Sequence, residues 1–152
     1  YLRAAVPRLH AASTTLADEF DLVRAYLEIM QMRMPDRLAF ELTLPPDLAS
    51  VPCPPMSVLT LVENAIRHGI DPSVNGGRVL VAAMRDEHSA QIDVSDDGVG
   101  LASGNDGLGT GLVTLRERLR LRYGSADALT VTARPRRGVV ARLRLPISGA
   151  AT

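Results

Sequence analysis

Leu61-Val62-Glu63-Asn64-Ala65-Ile66-Arg67-His68-Gly69 ends a stretch whose apolar residues recur at helical spacing. Val58, Leu59, Val62, Ala65 and Ile66 form its buried face, and Gly69 follows as a stop. The spacing predicts a helix over about 56–68. On an α-helix, Asn64, Arg67 and His68 stand at i, i+3 and i+4 and share the face opposite Val58, Val62 and Ile66. Glu63 lies at the edge of that face, one turn before Arg67.

Working outward, Thr15 and Asp18 form an acidic capping box for an earlier helix. Leu16, Phe20, Val23, Leu27, Met30 and Met34 supply its apolar stripe, and Pro35 ends it. Leu38, Phe40, Leu42 and Leu44 alternate, predicting a strand with one buried face. Pro45-Pro46, Pro52, Pro54 and Pro55 bracket a rigid loop. Strands follow at 78–85 and 90–95, joined by a turn at 86–89, then a helix over 111–123. A hairpin of 129–133 and 139–145 closes the chain. The order gives a two-layer α/β sandwich, its mixed and mostly antiparallel sheet carrying helices on one face.

Composition narrows the function. The chain has 152 residues, 17 basic and 17 acidic, so net charge does not select for nucleic acid. One cysteine, Cys53, excludes an internal disulfide and fits a reducing compartment. No apolar run is long enough for a membrane span. The chain opens on Tyr1 and enters helix-like sequence directly, which reads as a piece of a longer protein.

Two further segments carry chemistry. Asp96-Asp97-Gly98-Val99-Gly100 begins at a strand end, where a buried Asp can accept from an adenine amino group. Gly98 and Gly100 let backbone approach a base. Gly104, Gly107, Gly109 and Gly111 fall in eight residues before a helix whose first turn, at Gly111-Leu112, offers N–H groups to phosphate. No Gly-Lys-Ser/Thr follows, so this is not a Walker loop. An amide oxygen such as that of Asn64 suits Mg²⁺, which takes few protein ligands. Arg67 can neutralise phosphate charge. Taken one by one, the three segments also read as an exposed polar helix face, a local turn and a linker. In this order they supply the parts of a Mg–ATP site.

With these residues in place, the chain resembles the ATP-binding domain of bacterial sensor histidine kinases of the autolysin-sensor type, in the Bergerat-fold superfamily. Residues 16–29 look like that family's linker helix and 63–69 like its Asn-bearing box. Residues 96–100 and 107–112 look like its two glycine boxes, and 115–119 together with Tyr123-Gly124 continue the match. The resemblance implies a linker helix in 1–35 and an ATP-binding domain in 36–149. It implies Asn64 as the Mg²⁺ ligand, with Arg67 and His68 facing the phosphates. Asp96 would read adenine, with Gly98 and Gly100 shaping its pocket. Gly107, Gly109, Thr110, Gly111 and Leu112 would complete the nucleotide contacts, and Glu63 would act as base on the accepting histidine.

Its implied partners are ATP, the parent's phosphoacceptor helices and a response regulator, with no nucleic acid. The parent would be a membrane-associated homodimer with this domain in the cytoplasm. The chain departs from the family at Leu59-Thr60, Thr114 and Val139, and its lid segment between Gly100 and Gly109 is short. His10, in Arg8-Leu9-His10-Ala11, lacks a phosphoacceptor motif, so no self-phosphorylation is expected. Rival readings are an anti-sigma serine kinase, a degenerate nucleotide sensor, and a DNA-associated ATPase using Arg134, Arg136, Arg137, Arg142 and Arg144.

Overall fold

A computed structural model describes residues 14–100, 110–125 and 128–147. Its elements are β1 (Thr14–Thr15), α1 (Leu16–Arg33), β2 (Leu38–Thr43), β3 (Pro52–Cys53) and α2 (Ser57–Ala65). They continue as β4 (Gly77–Asp86), β5 (Ser89–Asp96), α3 (Thr110–Tyr123), β6 (Leu129–Ala133) and β7 (Val139–Pro146). A 3₁₀ turn spans Pro46–Leu48, and a π turn spans Ile66–Ile70.

The capping box forms as expected: the Asp18 amide donates to Thr15 Oγ1 at 3.2 Å. α1 then buries Leu16, Phe20, Val23 and Leu27 on one side. Glu19 is buried with them, although the charge pattern places it among the solvated positions of the wheel.

Five strands form one sheet in the order β2-β4-β5-β7-β6. β2 pairs parallel with β4 because α2 crosses between them, and the other three pairings are antiparallel. The strands alternate in burial. Val79, Val81 and Ala83, then Ala90, Ile92 and Val94, then Ala141, Leu143 and Leu145 face the core. The helices cover that face and share its core through Leu59, Leu61, Leu112, Leu115 and Leu119. Each fully buried leucine contributes about 1.5–3 kcal/mol. The opposite face is polar: the Arg142 guanidinium donates twice to the Asp93 carboxylate, at 2.8 and 3.0 Å.

Two short features differ from expectation. β1 and β3 pair antiparallel, with Thr14 opposite Cys53 and Thr15 opposite Pro52, where a plain loop is expected. Two residues each are too few to show alternation. The β4–β5 connection is a two-residue turn at Glu87-His88, with Asp86 and Ser89 paired. Glu87 takes the left-handed conformation there, at φ +52°.

Candidate functional site

The Asn-bearing helix is held at both ends. At its start, Met56 is left-handed (φ +67°), which leaves the first amides of α2 pointing into the protein. The buried Glu19 carboxylate receives two of them, from Met56 N at 2.8 Å and Val58 N at 3.0 Å. Burial pushes the Glu19 carboxyl above the usual carboxylate range, and the two amide donors oppose that shift. The linker-like helix thus grips the helix that carries Asn64.

At its other end, α2 does not continue as an α-helix to His68. The Asp71 amide reaches Ile66 O at 2.8 Å, closing the wider i→i+5 turn. This shortens the expected helix over 56–68, whose regular α-helical part ends at Ala65. Asn64 lies in regular helix and Arg67 and His68 in the π turn, and all three remain on the side that is not buried, between buried Ala65-Ile66 and Gly69-Ile70. The wider turn buries both Ile66 and Ile70. Arg67 and His68 are exposed, Asn64 is half-buried and Glu63 is exposed. Glu63 and Arg67 also lie close enough to Tyr26 of α1 for their charges to act on its phenol. Burial, then Glu63, push that phenol up, while Arg67 lowers it.

The π turn presents Gly69 to the end of β5. A Cβ on Gly69 would lie 2.6 Å from Asp96 Oδ1, so only glycine allows this approach. A Cβ on Gly98 would collide with the Gly69 carbonyl, and that carbonyl accepts from Val99 N at 3.0 Å. Gly69 is therefore more than a helix stop; it seats the Asp96 loop against the Asn64 helix.

Asp96 is 3% exposed, and burial pushes its carboxyl above the usual range. Oδ1 accepts from Gly98 N at 2.8 Å. Oδ2 has no hydrogen bond among the described residues. A buried carboxylate with one oxygen engaged and one open favours a ligand that donates an N–H. The neighbouring Asp97 has a structural role: its Oδ1 accepts from Arg78 N at 2.6 Å and ties the loop to β4.

Arg137 braces this loop, and Arg37 holds the neighbouring Asp71–Ser73 segment to which Arg137 also bonds. Arg137 donates from Nε to Gly98 O at 2.7 Å and from Nη2 to Ser73 Oγ at 3.0 Å. Arg37 donates to Ser73 O at 2.6 Å and to Asp71 O at 3.2 Å. Arg134 reaches Asp96 O at 3.1 Å, and Arg144 pairs with Asp86 at 3.3 Å. The arginines of the closing hairpin, read above as a candidate basic patch, are in this way largely engaged within the protein. Arg137→Ala should weaken nucleotide binding roughly tenfold by releasing Gly98, a loss of about 1.4 kcal/mol. Titration of the variant with ATP checks this; unchanged affinity would contradict the bracing role.

Gly111 lies beside α2, since a Cβ there would meet Thr60 Cγ2 at 3.5 Å. Thr60 is one helical turn before Asn64, so the first turn of α3 flanks the Asn64 helix. Thr110 is exposed, and Leu112 is buried in the core. What Leu112 can offer a ligand is its backbone N–H rather than its side chain. Gly100 is left-handed at φ +88°. Gly107 and Gly109, like His10, lie outside the described residues.

The Asn64 amide makes no hydrogen bond among the described residues, which fits a group kept for a hard cation. No group of three or more His, Cys, Asp or Glu side chains that could hold a metal ion occurs among the described residues. Burial pushes the Cys53 thiol up to about 12, so it is inert as a nucleophile. A cavity of about 390 Å³, lined by His88, Tyr123 and Arg144 among others, lies at the opposite end of β5 from Asp96.

No family model matches the chain. It is similar to the sensor histidine kinase BtsS of Escherichia coli, at 32% identity over 132 residues, covering 87% of this chain and 24% of that protein. It is similar to the sensor protein LytS of Bacillus subtilis, at 26% identity, covering 97% of this chain and 27% of that protein. The chain thus spans about a quarter of the length of these relatives. Its fold matches a histidine kinase domain from Erythrobacter litoralis with a TM-score of 0.68 at 18% identity, covering 91% of this chain and 69% of that one. It also matches the catalytic domain of histidine kinase ThkA with a TM-score of 0.64 at 14% identity, covering 89% and 95%.

Proposed function

With sensor histidine kinases as homologues and the fold of their catalytic domains, the chain belongs to that family, and we propose that it is the ATP-binding and catalytic domain of a two-component sensor kinase. One observation carries the nucleotide assignment. Asp96 is buried at a strand end with an open Oδ2, and its loop is seated by Gly69 on the helix that carries Asn64.

In this reading Asp96 accepts from the adenine amino group, and the backbone of Gly98 and Gly100 borders the base. The Asn64 amide oxygen holds Mg²⁺, which supplies charge neutralisation at the phosphates. Arg67, His68 and the first turn of α3 add positive charge and N–H donors nearby. Gly107, Gly109, Thr110, Gly111 and Leu112 complete the phosphate side.

The γ-phosphoryl group passes to a histidine on another part of the parent. The imidazole nitrogen attacks phosphorus, the bond to the β-phosphate oxygen breaks, and ADP leaves. Catalysis rests mainly on positioning and charge stabilisation. Exposed Glu63 takes the imidazole proton. Glu63→Gln should then cut phosphotransfer to added phosphoacceptor helices by about 10²-fold, with ATP affinity unchanged. Parallel losses in both would refute the role.

Residues 1–35 join this domain to the parent's remaining helices, and 36–149 form the nucleotide-binding unit. A response-regulator aspartate is the proposed final acceptor, and the parent is a homodimer. No helix among the described residues is long and apolar enough to cross a membrane. The domain is proposed to work in the cytoplasm, on a membrane-associated parent. Titration with ATP and ADP, with and without Mg²⁺, tests the reading directly.

A further inference from the structure

Arg118 joins α3 to the start of the Asn64 helix. Its Nη2 donates to Pro55 O at 2.7 Å, and Pro55 is buried just ahead of α2. Met56 follows in the left-handed conformation, and its amide, with that of Val58, goes to Glu19 of α1. The Arg118 charge also acts on the Glu19 carboxyl, where it opposes the effect of burial. Three helices therefore meet at one polar point: Glu19 from α1, Pro55 and Met56 before α2, and Arg118 from α3.

A second contact lies elsewhere on α2 and α3. Gly111 stands seven residues before Arg118, about two turns, so both lie on one side of α3. Gly111 faces Thr60, where its Cβ would meet Thr60 Cγ2 at 3.5 Å. Thr60 lies five residues after Pro55. α3 therefore runs back along α2, and its N-terminus points toward the end of α2 that carries Asn64. The rest of the packing from α3 is apolar, through buried Leu112, Leu115 and Leu119. Leucines fill space without setting a register, because their attraction is non-directional. A charged donor on a buried carbonyl is directional, and its bond is lost when the helix slides.

We infer that Arg118 is a positioning residue that pins the register of α3 along α2, and so sets the distance between the α3 N-terminus and Asn64. The inference rests on the Mg–ATP reading, in which phosphate occupies the space between those two groups. Neighbouring arginines of α3 have other partners: Arg116 donates to Leu129 O, and Arg120 pairs with exposed Glu117.

Arg118→Met keeps the apolar stem and removes the donor. It should weaken ATP binding roughly tenfold and leave adenosine binding unchanged, both followed through the Gly98 and Val99 amide resonances. Arg118→Lys should restore part of the ATP affinity, and Arg120→Met should change neither ligand. A readout without nucleotide is disulfide formation between Thr60→Cys and Gly111→Cys, which needs the wild-type register; Cys53 is buried and does not compete. Adding Arg118→Met should slow it roughly tenfold. Unchanged ATP affinity, equal losses of ATP and adenosine, or an unchanged rate of disulfide formation would overturn the pin. A wild type that binds no ATP, but whose disulfide slows with Arg118→Met, would keep the pin and defeat the nucleotide reading.

Discussion

Gly98→Ala is expected to abolish nucleotide binding and to destabilise the fold by on the order of 3 kcal/mol. The added methyl would overlap the Gly69 carbonyl and lie 2.7 Å from Gly69 Cα, all of it backbone and none able to rotate away. The Asp96 loop must then lift off the π turn. That breaks the bond from Val99 N to Gly69 O and displaces the amide that holds Asp96 Oδ1. Gly124→Ala is the control. Gly124 also has positive φ, at +76°, but a Cβ there meets nothing. Its cost is conformational only, about 1 kcal/mol, with nucleotide binding kept. Urea unfolding and ATP titration of both variants check the contrast. Equal behaviour of the two would show that close approach at Gly98 does not matter.

Glu19→Ala should cost about 3 kcal/mol, lowering the melting temperature by roughly 6–12 °C. The substitution leaves two amides at the start of α2, on Met56 and Val58, without their acceptor inside the protein. Arg24→Ala, on the exposed side of the same helix, should change stability by less than about 0.5 kcal/mol. Glu19 also carries a pH signature. Its carboxyl is raised in the folded state, with burial the leading cause. An acid raised on folding stabilises fully below its unfolded pKa, and that contribution is lost as pH rises through the folded value. The stability advantage of the wild type over Glu19→Gln should therefore shrink as pH rises out of the ordinary carboxylate range. Urea midpoints across pH measure this; an advantage that grows with pH would contradict the assignment.

The elements were legible where each segment declares its own periodicity. Thr15 with Asp18 marks the start of α1, and alternation marks β4, β5 and β7. Gly98 and Asp96 reveal a loop built for close approach. What was hidden depends on distant partners. By its charge Glu19 reads as a solvated position of the wheel, yet it is buried with Leu16, Phe20 and Val23. Its role appears only when the amides of Met56 and Val58, more than thirty residues away, arrive beside it. The π turn was illegible because a wheel assumes one hydrogen-bond pattern throughout. The same assumption concealed the use of Gly69. Arg137 carries no local motif; its partners Gly98 and Ser73 come from other loops. Gly107 and Gly109 remain legible only as sequence, since they lie outside the described residues.

The central claim is that this chain binds Mg–ATP with Asp96 reading the adenine. Calorimetric titration of ATP and GTP into the chain and into Asp96→Asn, with and without Mg²⁺, tests it most directly. The account predicts Mg²⁺-dependent binding of ATP, at least roughly tenfold weaker binding of GTP, and a comparable loss for ATP in Asp96→Asn. No binding of ATP at millimolar concentration, or an affinity unchanged by Asp96→Asn, would contradict it.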